Sequence, residues 1–99
     1  MPPAADPSIA SFLHAVSDSA RRRILQAMRD HARNATEKSG LCAGDIEERV
    51  KLSQPTVSHH MKILEKAGLV EVKKEGTWRR YRRNDKLIAG SISALKKQL

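Results

Sequence analysis

The stretch Leu52-Ser53-Gln54-Pro55-Thr56-Val57-Ser58-His59-His60-Met61-Lys62-Ile63-Leu64-Glu65-Lys66-Ala67-Gly68-Leu69-Val70 constrains the fold of this chain more than any other, because both of its ends are marked. Ser53 can cap a helix start. Pro55 suits the first turn, where its missing N–H has no intrahelical partner to lose, and Gly68 suits the left-handed position that closes a helix, with Leu69 folding back after it. Between these ends Val57, Met61 and Leu64 recur at i, i+4, i+7 and predict an inward face, whereas Gln54, Ser58, His59 and Lys62 fall elsewhere on the cylinder. Those side chains donate and accept hydrogen bonds, as base edges and phosphates require. An ordinary amphipathic surface helix would share the apolar spacing, so the flanking elements must separate the two readings.

On the N-terminal side, residues 1–6 read as a disordered tail. Ile9, Phe12, Leu13 and Val16 then fit the i, i+3, i+4, i+7 template of a first helix. A second helix runs from Asp18 into the low thirties, with Ala20, Ile24, Ala27 and Met28 inward and Arg21, Arg22, Arg23 and Arg29 on or near its wet side. The triple arginine is most simply a solvated face close enough to a helix start to reach a phosphate. Polar and small residues follow up to Gly40, a loop. A short third helix spans about Ala43 to Val50, with Ile46 and Val50 buried, Cys42 at the N-cap and the Asp45 carboxylate near the positive helix end. Lys51-Leu52-Ser53 supplies a tight turn into the marked stretch, and two short helices so joined form a helix-turn-helix.

Past Gly68 the period becomes alternating. Val70 and Val72 face one way and Glu71 and Lys73 the other, Glu75-Gly76-Thr77 turns, and the chain returns through Trp78 to Arg83 with Tyr81 inward. This is a basic two-stranded hairpin, the wing of a winged helix. From Asp85 a last helix carries Leu87, Ile88, Ile92, Leu95 and Leu99 as a wide apolar stripe. The expected fold is mainly α with a small β-hairpin: a winged helix-turn-helix of about five helices over residues 7–99.

Charge agrees with a polyanionic partner. The 99 residues carry a formal net charge of +8, a field that favours nucleic acid or, less often, an acidic membrane surface. Arg79, Arg80, Arg82 and Arg83 crowd one segment with Lys73 and Lys74 just before it, which resembles a docking edge more than a solubilising surface. No apolar run approaches the roughly 20 residues of a membrane span, and the solitary Cys42 fits a reducing, cytoplasmic setting. There is no glycine-rich phosphate loop, no serine or cysteine nucleophile with a plausible base and orienting acid, and no pair of carboxylates in a predicted pocket, so an enzyme is not expected.

The segment from about Ser17 to Asn84 resembles the ArsR family of bacterial winged-helix repressors. The resemblance rests on Arg23-Ile24-Leu25, on the stretch from Leu52 to Val70, and on Glu75-Gly76-Thr77-Trp78 followed by Tyr81. It implies a homodimer built from the first and last helices, whose apolar stripes the residue reading leaves unpartnered. It also implies a partly palindromic double-stranded DNA operator with one recognition helix of each subunit in the major groove. The expected DNA-contacting residues are Ser53, Gln54, Thr56, Ser58, His59, His60 and Lys62, with Lys73, Arg79 and Arg80 on the wing. His60 stands about 100° around the helix from His59, and packing or a local hydrogen bond is its alternative. The expected dimer interface is Ile9, Phe12, Leu13, Val16, Ile88, Ile92, Leu95 and Leu99.

The chain also departs from the family. Many metal-sensing members carry two cysteines separated by one residue at the start of the third helix, but here Leu41-Cys42-Ala43-Gly44-Asp45 keeps only the first. The segment Lys86 to Leu99 contains no Asp, Glu or His. Neither familiar metal site can be assembled, since thiolate and imidazole sites need three or four converging ligands. No cofactor is expected. Cys42 is either a small apolar residue in line with Ile46 and Val50, a redox thiol at a helix start, or a ligand together with a distant histidine, and any small-molecule or redox effector is unidentified. The rival to operator binding is a basic winged-helix module that binds RNA or acts as an assembly adaptor.

Overall fold

The computed structural model describes residues 7–34 and 40–99. In chain order it contains α1 (Pro7–Val16), α2 (Ser19–Asn34), α3 (Ala43–Val50), α4 (Gln54–Lys66), β1 (Val70–Glu75), β2 (Trp78–Arg83) and α5 (Asp85–Gln98). Five helices and a hairpin are therefore present among the described residues, as expected. The tail expected over residues 1–6 lies outside the described residues, as does part of the loop before Cys42.

Each boundary has a local cause. Asp18 opens α2 by accepting from the backbone N–H groups of Ala20 and Arg21 at 2.8 and 3.2 Å, two donors that a helix start leaves free. Ser53 precedes α4 in the extended conformation of an N-cap but makes no side-chain capping bond. Its Oγ instead lies 2.9 Å from Thr56 Oγ1, so the capping expected of Ser53 is corrected to a hydroxyl pair. The other end of α4 closes as expected. Gly68 takes φ +82°, and the N–H groups of Gly68 and Leu69 donate to the carbonyls of Glu65 and Leu64 at 2.9 and 3.0 Å, the paired bonds of a Schellman motif. Asn84 caps α5 by accepting from Leu87 N–H at 3.1 Å.

The strands pair antiparallel, with Val72 opposite Tyr81 and Glu75 opposite Trp78. The two-residue connection places Gly76 at φ +62° and leaves Thr77 at negative φ, the backbone pattern of a type II′ hairpin turn. Leu41 adds a one-residue bridge to β2, exchanging backbone bonds with Tyr81 at 2.8 and 2.9 Å.

The core gathers Phe12 and Ala15 from α1, Ile24, Leu25 and Met28 from α2, Ile46 and Val50 from α3, Val57, Met61 and Leu64 from α4, and Leu69, Val70 and Tyr81 beyond it. Tyr81 and Val70 thus point inward as their alternation predicts. α5 lies against α1 and has no fully buried residue. Two residues expected at the dimer interface are spent within the protomer: Ile9 and Phe12 are 7% and 5% exposed. Periodicity finds an apolar face but not which neighbour covers it. Leu13, Ile92 and Leu99 do remain exposed, and Val16, Ile88 and Leu95 are half-buried. No helix among the described residues is long and apolar enough to cross a membrane.

Candidate nucleic-acid interface

α3 and α4 form a helix-turn-helix whose bend is set by one backbone position. Lys51 adopts the left-handed conformation at φ 58°, ψ 43°, and its N–H returns to Glu47 O at 2.9 Å. Arg23 of α2 donates to Val50 O at the end of α3, which satisfies a carbonyl that the helix end leaves free. The bend presents α4 with Val57, His60, Met61 and Leu64 buried. Gln54, Ser58, His59 and Lys62 are exposed. Gln54, Ser58 and Lys62 follow one another at four-residue steps along the outer surface, with His59 beside them. An amide, a hydroxyl, an imidazole and an ammonium thus share one open face, a set able to meet both base edges and phosphates. Ser53 is exposed at the mouth of the helix and Thr56 is half-buried against it.

His60 does not belong to that face. It is 8% exposed, and its Nδ1 lies 3.2 Å from Arg21 Nη1. Because a guanidinium only donates, Nδ1 must be the acceptor, and the neutral ring carries its proton on Nε2. Burial holds the His60 imidazole below its ordinary pKa, with the nearby Arg21 and His59 acting in the same direction and Asp18 opposing them. The Asp18 carboxyl is itself held below the usual range, chiefly by the hydrogen bond from Arg21 N–H and against a smaller effect of burial.

Within the arginine triplet Arg21 is likewise withdrawn from the surface, and all three side chains bond to backbone carbonyls. Arg21 is 5% exposed and donates to Ala15 O and His14 O at 2.7 and 2.9 Å. Arg22 donates to Val16 O at 2.7 Å, and Arg23 reaches Val50 O. Their targets are the terminal carbonyls of α1 and α3, where the helix dipole favours a cation. The expected solvated face is corrected for Arg21 alone; Arg22 and Arg23 are exposed as expected and cap helix ends from the surface. For Arg21 and Arg22 the signal available in the sequence was their position five and six residues past Val16, where α1 ends; for Arg23, which reaches a carbonyl distant in sequence, there was none.

On the wing, alternation divides the cations. Lys73 and Arg80 are paired across the strands, as are Lys74 and Arg79, so the two pairs occupy opposite faces of the hairpin. Glu75 lies 3.8 Å from Lys73 Nζ and 3.9 Å from Arg80 Nε, a partial neutralisation that exposed pairs make weakly. Lys74 and Arg79 have no acidic partner among the described residues. Trp78, 66% exposed, stands at the wing tip on the face of Lys73 and Arg80. Arg83 is committed to the fold, donating to Asp85 and to Leu25 O, both at 2.9 Å.

Cys42 is half-buried at the start of α3, where its thiol donates to Asp45 Oδ2 at 2.9 Å. Among the described residues no three His, Cys, Asp or Glu side chains converge as a metal ion would need.

A helix-turn-helix with a polar outer face, flanked by a basic hairpin, defines a winged-helix DNA-binding protein. The pattern of the bacterial regulatory protein, arsR family, matches residues 18–72, and the chain belongs to that family of DNA-binding transcriptional regulators. An HTH-type transcriptional regulator of Methanocaldococcus jannaschii is 39% identical over 72 residues, 73% of each chain. An arsenical resistance operon repressor of Staphylococcus aureus is 34% identical over 87 residues, 88% of this chain and 76% of its own. Among solved structures, the homodimeric winged helix-turn-helix DNA-binding domain of a possible ArsR-family regulator from Mycobacterium bovis superposes with a TM-score of 0.70. It is 19% identical, and the match covers 99% of this chain and 90% of that one.

Proposed function

We propose that the chain acts in the cytoplasm as a homodimeric repressor that binds a partly palindromic operator. The observation that carries this reading is the outer face of α4, where Gln54, Ser58, His59 and Lys62 are exposed while the opposite side of the same helix is buried. On this reading Gln54, Ser58 and His59 approach base edges, and Ser53 and Thr56 serve the helix mouth. Lys62 and the wing cations Lys73, Lys74, Arg79 and Arg80 hold phosphates, supplying most of the affinity and little of the choice. α1 and α5 join the protomers through Leu13, Val16, Ile88, Ile92, Leu95 and Leu99. The chain carries no catalytic role.

Selection of binding sites from random duplex DNA with purified protein tests the reading. A motif with two related half-sites is expected; no enriched motif at moderate salt would favour an RNA-binding or adaptor role instead. The signal, if oxidative, enters through Cys42, because an oxidised or persulfidated sulfur is bulkier and would press α3 against α4. Peroxide should then weaken operator binding by wild type and leave Cys42→Ser unchanged, and equal responses would make the thiol purely structural. Arsenite, zinc and cadmium should leave operator affinity unaltered, since Gly44 stands where the second cysteine would be and the segment Lys86 to Leu99 offers no carboxylate or imidazole side chain.

A further inference from the structure

We propose that Arg21 is a positioning residue for DNA recognition: its buried guanidinium ties the carboxyl end of α1 to His60 on the inner side of α4, and so fixes how the recognition helix is presented. The inference rests on the operator-binding reading. Arg21 extends from α2 and bonds two other elements at once, α1 through Ala15 O and His14 O at 2.7 and 2.9 Å, and α4 through His60 Nδ1 at 3.2 Å. Asp18 Oδ2, at the start of α2, lies 4.0 Å from Nη1. An arginine that is 5% exposed cannot leave these acceptors cheaply, because a buried cation without partners is strongly destabilising. Its donors lie in a rigid plane, so their directions are fixed together. Rotating α4 about its axis, or sliding α1 along α2, breaks at least one of the bonds. The residue before His60 on α4 is His59, on the exposed face, its ring centroid 5.5 Å from that of His60. α1 packs in turn on α5, so Arg21 is a polar junction between the elements proposed to join protomers and the helix proposed to read DNA.

The junction holds only while Nδ1 of His60 is an acceptor. A proton there turns the acceptor into a donor that faces a guanidinium. The groups around the ring are Arg21 from α2, Asp18 just before that helix, His59 from α4 and, from α1, the carbonyls of His14 and Ala15 that Arg21 holds; the His14 ring itself is exposed. Asp18 favours the protonated ring; burial, Arg21 and His59 oppose it. Acidification therefore weakens the junction.

The test uses the selected operator duplex and an unrelated duplex of equal length. Arg21→Met keeps the aliphatic stem without the donors. It should retain the dimer and the affinity for unrelated duplex while losing about tenfold in operator affinity, within the range of couplings carried by such networks. His60 supplies a second pair of variants should Arg21→Met fold poorly. In His60→Asn the amide oxygen replaces Nδ1, so operator affinity near that of wild type is expected at about pH 7.5. As the pH is lowered to about 5.5 this variant should escape the junction-dependent loss seen in wild type. His60→Leu should lose about tenfold at both pH values. Operator binding equal to wild type by folded Arg21→Met or His60→Leu overturns the proposal, as do identical pH profiles for wild type and His60→Asn. If wild type itself selects no duplex, the operator reading fails and takes this inference with it.

Discussion

Three consecutive arginines, Arg21, Arg22 and Arg23, end on four backbone carbonyls at the termini of α1 and α3. A cation at a helix carboxyl end satisfies a free acceptor and complements the dipole, so these contacts favour the folded state. His60 carries a pH signature of its own. Its folded-state pKa is depressed, which means the unfolded chain takes up the proton more readily. The stabilisation is therefore present above the ordinary imidazole value of 6.5 and is lost as the pH falls below it and through the folded value. Thermal unfolding should show this loss in wild type and less of it in His60→Asn. Asp18 acts in a separate and lower window: its contribution is present above 3.8 and disappears as the pH falls through its depressed value. Lys51 bears a side chain in the left-handed region. Lys51→Gly removes that steric cost and should raise the unfolding free energy by about 0.5–1 kcal/mol; a decrease in a denaturant titration would mean that the lysine side chain contributes more than its backbone geometry costs.

At the level of elements, α4 and the wing should separate experimentally. Ser58→Ala and His59→Ala remove groups from the exposed face of α4 and, on the proposed function, should relax base preference, at about 1–3 kcal/mol for a position where a well-formed base-edge hydrogen bond is removed. Lys74→Ala and Arg79→Ala should weaken all duplexes alike and reduce the salt slope by about 1 for each phosphate left without its cation. Arg80→Ala should do less, because Glu75 already competes for that guanidinium. Trp78 is the single tryptophan of the chain and sits exposed on the wing, so its fluorescence can follow the titrations. Wing variants that change base preference while α4 variants do not would reverse the roles assigned to the two elements.

For the whole molecule, the decisive property is assembly. α5 has no buried residue, and Ile92 and Leu99 are 52% and 97% exposed with Leu13 at 43%. A helix of such apolar character with one bare side calls for a second copy. Sedimentation at micromolar concentration should give twice the chain mass. Ile92→Asp should give the monomer, and operator affinity should fall because two half-sites are no longer bound together. A monomeric wild type would remove the two-half-site arrangement while leaving the helix-turn-helix intact.

Much of this was legible in the chain before folding. The bounds of α4, the turn at Gly76, the inward Tyr81 and the exposed row of Gln54, Ser58 and Lys62 follow from local rules: glycine alone takes positive φ without strain, and side-chain periods of 3.6 and 2 assign faces. Other features depend on residues distant in sequence. Ile9 and Phe12 read as interface but are covered within the protomer, Arg21 reads as solvated but spans from α1 to α4, and His60 turns inward to meet it. Periodicity states that a face is apolar or polar; only the packed arrangement of helices supplies the neighbour that covers it, and a buried polar side chain is tolerated only where such a neighbour brings its hydrogen-bond partners.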